Sequence, residues 1–473
     1  MLILSTAFVL FTVIVFGIYY IPQLRNYQVY ILIIASLFFY YYNNPLDVII
    51  LLISIAVNTI ISYEIHMHKR HALLFAVLGI VANVLILSLF KYNSIISHAL
   101  SLGQIFSNKA VKHIAVLSLP LGISYFTFQG ISLLVDSYRQ TMGVTDETIR
   151  IRTFSSHFIN SALFLSFFPK QSSGPIITAH KFFPQLEFKF FQTIDWQTTF
   201  KYIIGGLFLK FVIADNLKDY TFWMRYPEFT VLSSIDLIML MYGYAFQFFA
   251  DFAGYSLVAI GIGYLFGYTL PINFNYPYIA TSCSDFWSRW HMSLSSWLRD
   301  YLYIPLGGNR KGTIRTSINL LLVMLIAGAW HGGTLNFLLW GIWHGIGLAA
   351  GRILKRLFGF RSRNSPLLTL IKIIIIFHFV SIGWLFFKLP EAAHVYAYIA
   401  SISKNIHIRS NMKLIIPMVL YSSLIVIYHA HYFVKNSPKL TFLHRFDFVL
   451  YGLLLFLILL NKGDENAFIY FQF

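Results

Sequence analysis

Ser284-Asp285-Phe286-Trp287-Ser288-Arg289-Trp290-His291, continued by Leu298-Arg299-Asp300-Tyr301-Leu302-Tyr303-Ile304-Pro305-Leu306-Gly307-Gly308-Asn309-Arg310-Lys311-Gly312, opens the stretch on which the reading of this chain turns. It runs into an apolar segment that breaks at Trp330-His331-Gly332-Gly333 and closes on Trp343-His344-Gly345. Laid on a helix at about 100° per residue, residues 284–303 place Phe286, Trp290, Leu294, Trp297 and Tyr301 on one side. Ser288, His291, Ser295 and Arg299 fall on the other. Ser284 is the expected N-cap, with Asp285 in the first turn where the helix dipole favours a carboxylate. Asp285 and Arg289 stand at i, i+4, within reach of each other. A helix this amphipathic is not a lipid-exposed span; it is expected at the interface or re-entering the membrane, its polar stripe toward a water-filled cavity.

From Ser317 to Trp330 the chain is apolar except for Asn319, and a second apolar run follows from Leu335 to Ala350. The first run is shorter than the about 20 residues that cross a hydrocarbon core. One reading is a span broken at depth, with His331 at the break and two glycines that admit close approach of backbone or ligand. An ionisable side chain in such a place is a functional hypothesis by default.

The rest of the 473-residue chain sets the environment. With 58% hydrophobic and 11% charged residues it is an integral membrane protein, and its apolar runs divide into roughly 11 to 13 transmembrane or re-entrant helices. The first run lacks a basic n-region and a small-residue cleavage site, so it is expected to stay as a helix. The net charge of +17 reads as positive-inside anchoring and not as nucleic-acid binding. The clusters His66–His71, Arg299 with Arg310, Lys311 and Arg315, and Arg352-Lys355-Arg356 with Arg361 and Arg363 are expected to face the cytoplasm. The lone Cys283 excludes an internal disulfide or thiolate metal cluster. No polar segment is long enough for a soluble catalytic domain, and no internal repeat is visible, which weighs against an inverted-repeat transporter.

Upstream, Leu119–Gln129 puts Pro120 and Gly122 inside an apolar run and ends in an amide expected to be buried. Val135–Arg139, Phe167–Ile176 and Gly206–Asn216 each read as a helix end. Asp251, within Tyr244–Ser256, lies in an aromatic setting where an unpaired carboxylate is costly. It needs a cavity or a partner, for which Arg289 and Arg299 are the candidates.

Together these segments resemble the membrane-bound O-acyltransferase family, and within it the bacterial branch of alginate and peptidoglycan O-acetyltransferases and the teichoic-acid D-alanylation protein. The resemblance rests on Asp251-Phe252-Ala253-Gly254-Tyr255-Ser256, Asp285 to Gly312, Ala329-Trp330-His331-Gly332 and the ending Phe468–Phe473. It implies an all-α polytopic fold, a bowl of tilted helices with a central pore, spanning one integral acyltransferase domain, 1–473. Within that domain, 1–118 are N-terminal helices, 119–350 the motif-bearing core and 351–473 the C-terminal helices. The family's invariant histidine falls on His331 and its second polar position on His291. Lys170-Gln171-Ser172-Ser173 departs from the branch's pattern of small and apolar residues, which bears on donor or partner choice.

The implied reaction passes an acetyl group from a cytoplasmic donor, acetyl-CoA, across the inner membrane for O-acetylation of a cell-envelope polysaccharide. Peptidoglycan or an alginate-like polymer is the expected acceptor, with a secreted or periplasmic acetyltransferase as partner. A histidine near its ordinary pKa can take the proton of an attacking hydroxyl, worth about 10² to 10⁴ in rate, or can carry the acetyl group as a covalent intermediate. Both routes stay open for His331. His291, Asn319 or backbone N–H groups at Gly332-Gly333 are candidate oxyanion donors, and Arg299, Arg310 and Lys311 suit a phosphate-bearing donor. Asp251, Arg289, Trp290, Ser295, Trp297, Asp300, Tyr301 and Trp330 complete the expected substrate contacts. His344, with little polar company, and His378 read as structural, and no HExxH or close His/Asp/Glu grouping points to a metal. D-alanyl or other acyl transfer is the alternative within the family. A transporter with a half-helix site at Gly332-Gly333, or a non-catalytic scaffold, are the rivals outside it.

Overall fold

A computed structural model describes residues 4–102, 118–146, 148–171, 174–358, 365–434 and 447–461. Ser172, Ser173, Arg361, Arg363 and the Phe468–Phe473 ending lie outside the described residues. The described residues contain helices and turns and no strand. Among them, seven helices are long and apolar enough to cross a membrane. A bent pair, Thr6–Tyr19 with Pro22–Asn43, turns by 103° and counts as an eighth span if taken as one. The bend falls at Ile21-Pro22, where proline has no N–H to continue the helix. Shorter helices, including Ile123–Thr141, Phe154–Ser166, Trp196–Leu207 and Asp447–Leu460, take up other apolar runs. The chain is an all-α, multi-pass membrane protein.

It divides into two compact units, Met1–Phe200 with Ala259–Pro271 and Lys201–Val258 with Ile272–Phe473. The first is built on the helices Pro45–Met67, Ala72–Lys91 and Ile123–Thr141. Pro45 sits in the first turn, where its missing N–H leaves nothing unpaired, and the Asn44 side chain accepts from Leu46 N at 3.2 Å. Ile65, Ala72, Ala76 and Leu134 close the apolar core. Deeper in the bundle Asn58 and Asn83 exchange side-chain hydrogen bonds of 2.8 and 3.2 Å. In an environment without water, such amides must find one another. Gln129 is fully buried, as its place at the end of an apolar run suggested.

The second unit carries the stretch that opens the sequence reading. Here the structure corrects the expectation of one span broken at His331. Gly312–His331 and Leu335–Phe358 are two helices folded back on each other as an antiparallel hairpin. A β-carbon built on Gly328 would lie 2.3 Å from the Phe337 carbonyl oxygen, and one on Gly341 would lie 2.4 Å from that of Met324. Glycine at both places lets the backbones touch. The first helix is longer than the apolar run because its polar opening turn satisfies itself. Thr316 Oγ1 donates to Gly312 O at 2.7 Å and Ser317 Oγ to Thr313 O at 3.0 Å. Its 20 residues rise about 30 Å, the thickness of a hydrocarbon core. Gly332–Thr334 therefore make a reversal and not a kink.

Candidate functional site

Residues 284–303 do not form the single helix expected from their periodicity. Ser282, not Ser284, is the N-cap, its Oγ accepting from Asp285 N at 3.0 Å. The helix ends after Trp287, and a second begins at Met292 and runs to Leu298 before a wide, π-type turn over Arg299–Tyr303. The break is at His291, whose backbone is left-handed at φ 44°, a conformation that costs a side-chain-bearing residue energy. Asn273 holds it there. Asn273 O accepts from Met292 N at 2.9 Å, and its Oδ1 accepts from Ser293 Oγ at 2.6 Å and lies 3.3 Å from His291 Nδ1. The imidazole packs edge-on against Phe252, centroids 4.7 Å apart. Burial pushes its pKa down to about 3, so the ring is neutral. The expected Asp285–Arg289 pair is present at 2.7 Å.

His331 ends the first hairpin helix and is 6% exposed. Trp330, Phe337, Trp340 and Phe387 surround its ring, with centroid distances of 4.8, 6.4, 5.0 and 5.1 Å. Ring contacts continue from Phe387 to Trp384 at 5.6 Å and from there to Trp290 at 4.8 Å, next to His291. His344 lies in the same aromatic block, beside Trp287 and Trp340.

Two cavities in this unit border the block. The first, about 920 Å³, is lined by Cys283, Asp285, Trp287, Ser288, Ser295 and Arg299, together with Met324, Gly347, Arg352 and Lys355 from the hairpin. It lies toward the basic end of the hairpin. Trp287, on its wall, meets Trp340 edge-on at 5.6 Å, and Trp340 meets His331. The second, about 450 Å³, lies at the other end. It is lined by Gly332, Gly333 and Thr334 of the reversal, by Phe337 and Phe387 that cover His331, and by Lys210, Asp215, Asp251 and Lys388.

The expected site residues therefore separate. Ser295 and Arg299 join the first cavity, Arg299 with its guanidinium already held by Asp300 at 2.8 and 3.1 Å. Asp251 joins the second cavity. Trp290 is buried in the ring block, and Trp297 stacks on Tyr301. Asn319 donates to Leu306 O and Gly308 O, at 3.3 and 3.1 Å, and so ties down the turn before the hairpin. Arg310 and Lys311 are exposed in that turn. The cations that line the first cavity beside Arg299 are Arg352 and Lys355, which in sequence read only as cytoplasmic loop anchors.

Asp251 finds neither Arg289 nor Arg299. Its partner is Lys210, whose Nζ reaches Asp251 Oδ1 at 2.8 Å and Asp215 Oδ1 at 2.7 Å, all three residues being buried. Two local features bring the triad together. Phe208–Ala214 form a π-type turn, which puts residues five apart, Lys210 and Asp215, on one side. Gly206 and Gly254 let their helices cross so closely that a β-carbon on Gly206 would lie 2.6 Å from Gly254 O. Burial pushes the Asp215 carboxyl up to about 6 against the pull of Lys210. The signal in the sequence was one lysine inside the apolar run Gly206–Ala214, matched by an acid inside another.

Residues 117–389 match the family described as MBOAT, membrane-bound O-acyltransferase family. The chain is 37% identical over 378 residues to a peptidoglycan O-acetyltransferase of Helicobacter pylori, covering 76% of this chain and 70% of that protein. It is 34% identical over 391 residues to the probable alginate O-acetylase AlgI of Pseudomonas aeruginosa, 80% and 70% of the two chains. A teichoic acid D-alanyltransferase of Bacillus subtilis is 31% identical over 282 residues, 57% and 68% of the two.

Proposed function

The chain belongs to the membrane-bound O-acyltransferase family, and from that premise we propose that this acyltransferase moves an acetyl group from cytoplasmic acetyl-CoA toward a hydroxyl of a cell-envelope polysaccharide. Peptidoglycan or an alginate-like polymer is the acceptor, the bacterial inner membrane the location, and a periplasmic acetyltransferase the partner that completes delivery. The observation that carries this reading is the place of His331. It lies at the reversal of a membrane-length hairpin, beside the second cavity, with the first cavity toward the hairpin's basic end.

In this reading the donor enters the first cavity. Arg352 and Lys355 meet its phosphates, and Arg299 adds to them when it releases Asp300. Those cations lie at the end of the hairpin that the positive-inside rule assigns to the cytoplasm. The hydroxyl that takes the acetyl group here, on the polymer or on the partner that passes it on, enters the second cavity. Its oxygen attacks the thioester carbonyl while His331 takes the hydroxyl proton. The tetrahedral intermediate then collapses, the C–S bond breaks, and the imidazolium returns the proton to the leaving thiolate. Alternatively His331 attacks the thioester first: the C–S bond breaks, the leaving thiolate takes the ring proton, and the acceptor hydroxyl then displaces the acetyl group from the ring, its proton going back to the imidazole. Trp340 and Phe387 stand between His331 and the cavities, so the rings shift when substrates bind. In this reading His291, expected from sequence as a second catalytic residue, acts instead as a positioning residue for the Trp290 end of the ring block, fixed by Asn273.

The test uses purified protein with acetyl-CoA labelled in the acetyl group. Thioester cleavage is expected in the wild type and absent in His331→Ala. Mass spectrometry of envelope polymers from cells with and without the chain then identifies the acceptor by its lost esters. Cleavage that persists in His331→Ala ends the proposal, and a lost D-alanyl ester in place of acetyl moves it to the other branch of the family.

A further inference from the structure

The cleft at the first bend of the chain takes no part in the chemistry above. It lies wholly in the first unit and encloses about 520 Å³. Arg25, Asn26 and Val29 line one wall, and Glu187, Phe188 and Phe190 the other. Pro22 ends the regular helix, and the short turn Pro22–Tyr27 carries Arg25 and Asn26 out of it. Gln28, 4% exposed, ties the two walls together. Its Nε2 donates to Tyr19 O at 3.3 Å and to Lys189 O at 2.9 Å, and its Oε1 accepts from Lys189 N at 2.9 Å. A buried amide satisfied on both atoms makes the cleft a fixed feature of the fold.

The charge in this cleft is unbalanced. The Arg25 guanidinium lies 4.6 Å from the centroid of the Phe190 ring and has no carboxylate partner among the described residues. Glu187 stands on the same wall, but its field falls on Lys189, whose Nζ sits 5.0 Å from the centroid of Tyr268. Glu187 and Lys189 offset each other, and the charge of Arg25 is left over. A guanidinium seated on a ring still presents its fork to the paired oxygens of a phosphate.

Two features select a lipid over a dissolved anion. The rim is apolar and exposed, formed by Tyr27, Tyr30, Phe188, Phe190, Phe191 and Trp196, and aromatic side chains of this kind settle at the membrane surface. The cleft also opens at the basic end of its unit. The chain leading into its wall bonds there, His180 Nδ1 lying 3.0 Å from Asp136 Oδ2. The helix that carries Asp136 packs through Leu134 and Tyr138 on Ile65 and Ala72, which flank Lys69-Arg70-His71. The positive-inside rule assigns that end to the cytoplasmic leaflet, where anionic lipids attract basic residues.

We propose that this cleft binds one anionic phospholipid, its phosphodiester held by Arg25 and the Asn26 amide and its acyl chains leaving past the aromatic rim.

Full-length protein in phosphatidylcholine nanodiscs is prepared with increasing fractions of brominated phosphatidylglycerol or brominated phosphatidylcholine, whose bromines quench nearby indoles. Trp196 is the one tryptophan of the first unit. It meets Phe191 at 5.7 Å between centroids, beside the Phe190 wall, and the difference between wild type and Trp196→Phe isolates its signal. Half-quenching is expected at about tenfold less brominated phosphatidylglycerol than phosphatidylcholine, the value of one charge-assisted contact. Arg25→Gln, at an exposed position, should make the two lipids equal, with its unfolding midpoint at the wild-type value. Lys69→Gln/Arg70→Gln, at the same end but outside the cleft, should keep the preference. Equal quenching in the wild type, a preference that survives Arg25→Gln, or one that Lys69→Gln/Arg70→Gln also removes overturns the proposal. Loss of the preference on adding inorganic phosphate at constant ionic strength overturns it too, by making the cleft a site for dissolved anions.

Discussion

Replacing Lys210 with methionine removes one cation from two buried carboxylates. Lys210 Nζ lies 2.7 Å from Asp215 and 2.8 Å from Asp251, and all three residues are almost without exposure. Breaking a buried ion pair by deleting one partner costs about 3–5 kcal/mol, because the remaining charge is left uncompensated. Here two carboxylates lose their cation, so the upper end of that range is approached only at a pH where both stay ionised. The deficit depends on pH with a definite sign. Even with Lys210 present, the Asp215 carboxyl is raised from 3.8 to about 6. A folded pKa above the unfolded one means the folded state binds the proton more tightly. The stabilisation from that proton is complete below pH 3.8 and fades as pH rises through about 6. Lys210 lowers this carboxyl, so its loss moves the window above 6. Lys210→Met should therefore be close to wild type at pH 5 and unfold roughly 5 °C or more lower at pH 8. The measurement is the apparent unfolding midpoint in detergent micelles, at one scan rate, from tryptophan fluorescence. Lys210→Met/Asp215→Asn/Asp251→Asn should regain most of the loss, since removing a whole buried charge cluster is far cheaper than splitting it. A Lys210→Met variant with the wild-type midpoint at pH 8, or a triple variant no better than the single, would refute the reasoning.

The hairpin predicts its own intolerance. Gly328→Val should abolish the folded, monodisperse protein in size-exclusion chromatography, because its β-carbon would fall 2.3 Å from backbone at Phe337, whereas Gly351→Ala, with open space around it, should be recovered at wild-type yield. In the first cavity, Arg352→Gln/Lys355→Gln should raise the KM for acetyl-CoA about tenfold with kcat little changed, the pattern of lost uniform binding, and the effect should shrink at high salt. Asn273→Ala removes the side-chain acceptor that serves Ser293 and faces His291. It should lower the unfolding midpoint by a few degrees, about 1–2 kcal/mol, and reduce kcat more than it changes KM if the His291 turn positions the site.

The fold was legible wherever lipid set the rules. Apolar length and the residues that cap it located the helices of both units. The buried Gln129 followed from its place at the end of an apolar run. Periodicity misled where backbone conformation overrode it. Residues 284–303 keep a helical pattern of large and polar side chains, yet the chain breaks at His291, because Asn273 supplies the bonds that make a left-handed histidine tolerable. Asn273 lies 18 residues upstream in sequence, and no periodic pattern can report a distant side chain that rewards a local strain. The same limit explains the hairpin: hydropathy stops at the polar residues Thr313–Ser317, whereas the helix continues through them on their own hydroxyl bonds.

The site divides along the same line. His331 was visible as an ionisable residue in an apolar frame, a signal that survives folding because the frame is the environment. Arg299, Arg310 and Lys311 were read as one basic patch because they are close in sequence, but a helical hairpin brings its two ends together instead. Arg352 and Lys355, some fifty residues from Arg299 in sequence, therefore share its cavity, while Arg310 and Lys311 stay out in the turn. Asp251 carries the argument further. Its cost in an aromatic setting requires a partner, and the arginines near it in sequence, Arg289 and Arg299, lie in the motif block. The partner is Lys210, from the stretch Gly206–Asn216 that reads in sequence only as a helix end, delivered by a π-type turn and a crossing of two glycines. Charge deep in a membrane protein thus identifies that a pair must exist, while backbone geometry, through the turns that shift a side chain's face and the glycines that let helices touch, decides which residue completes it.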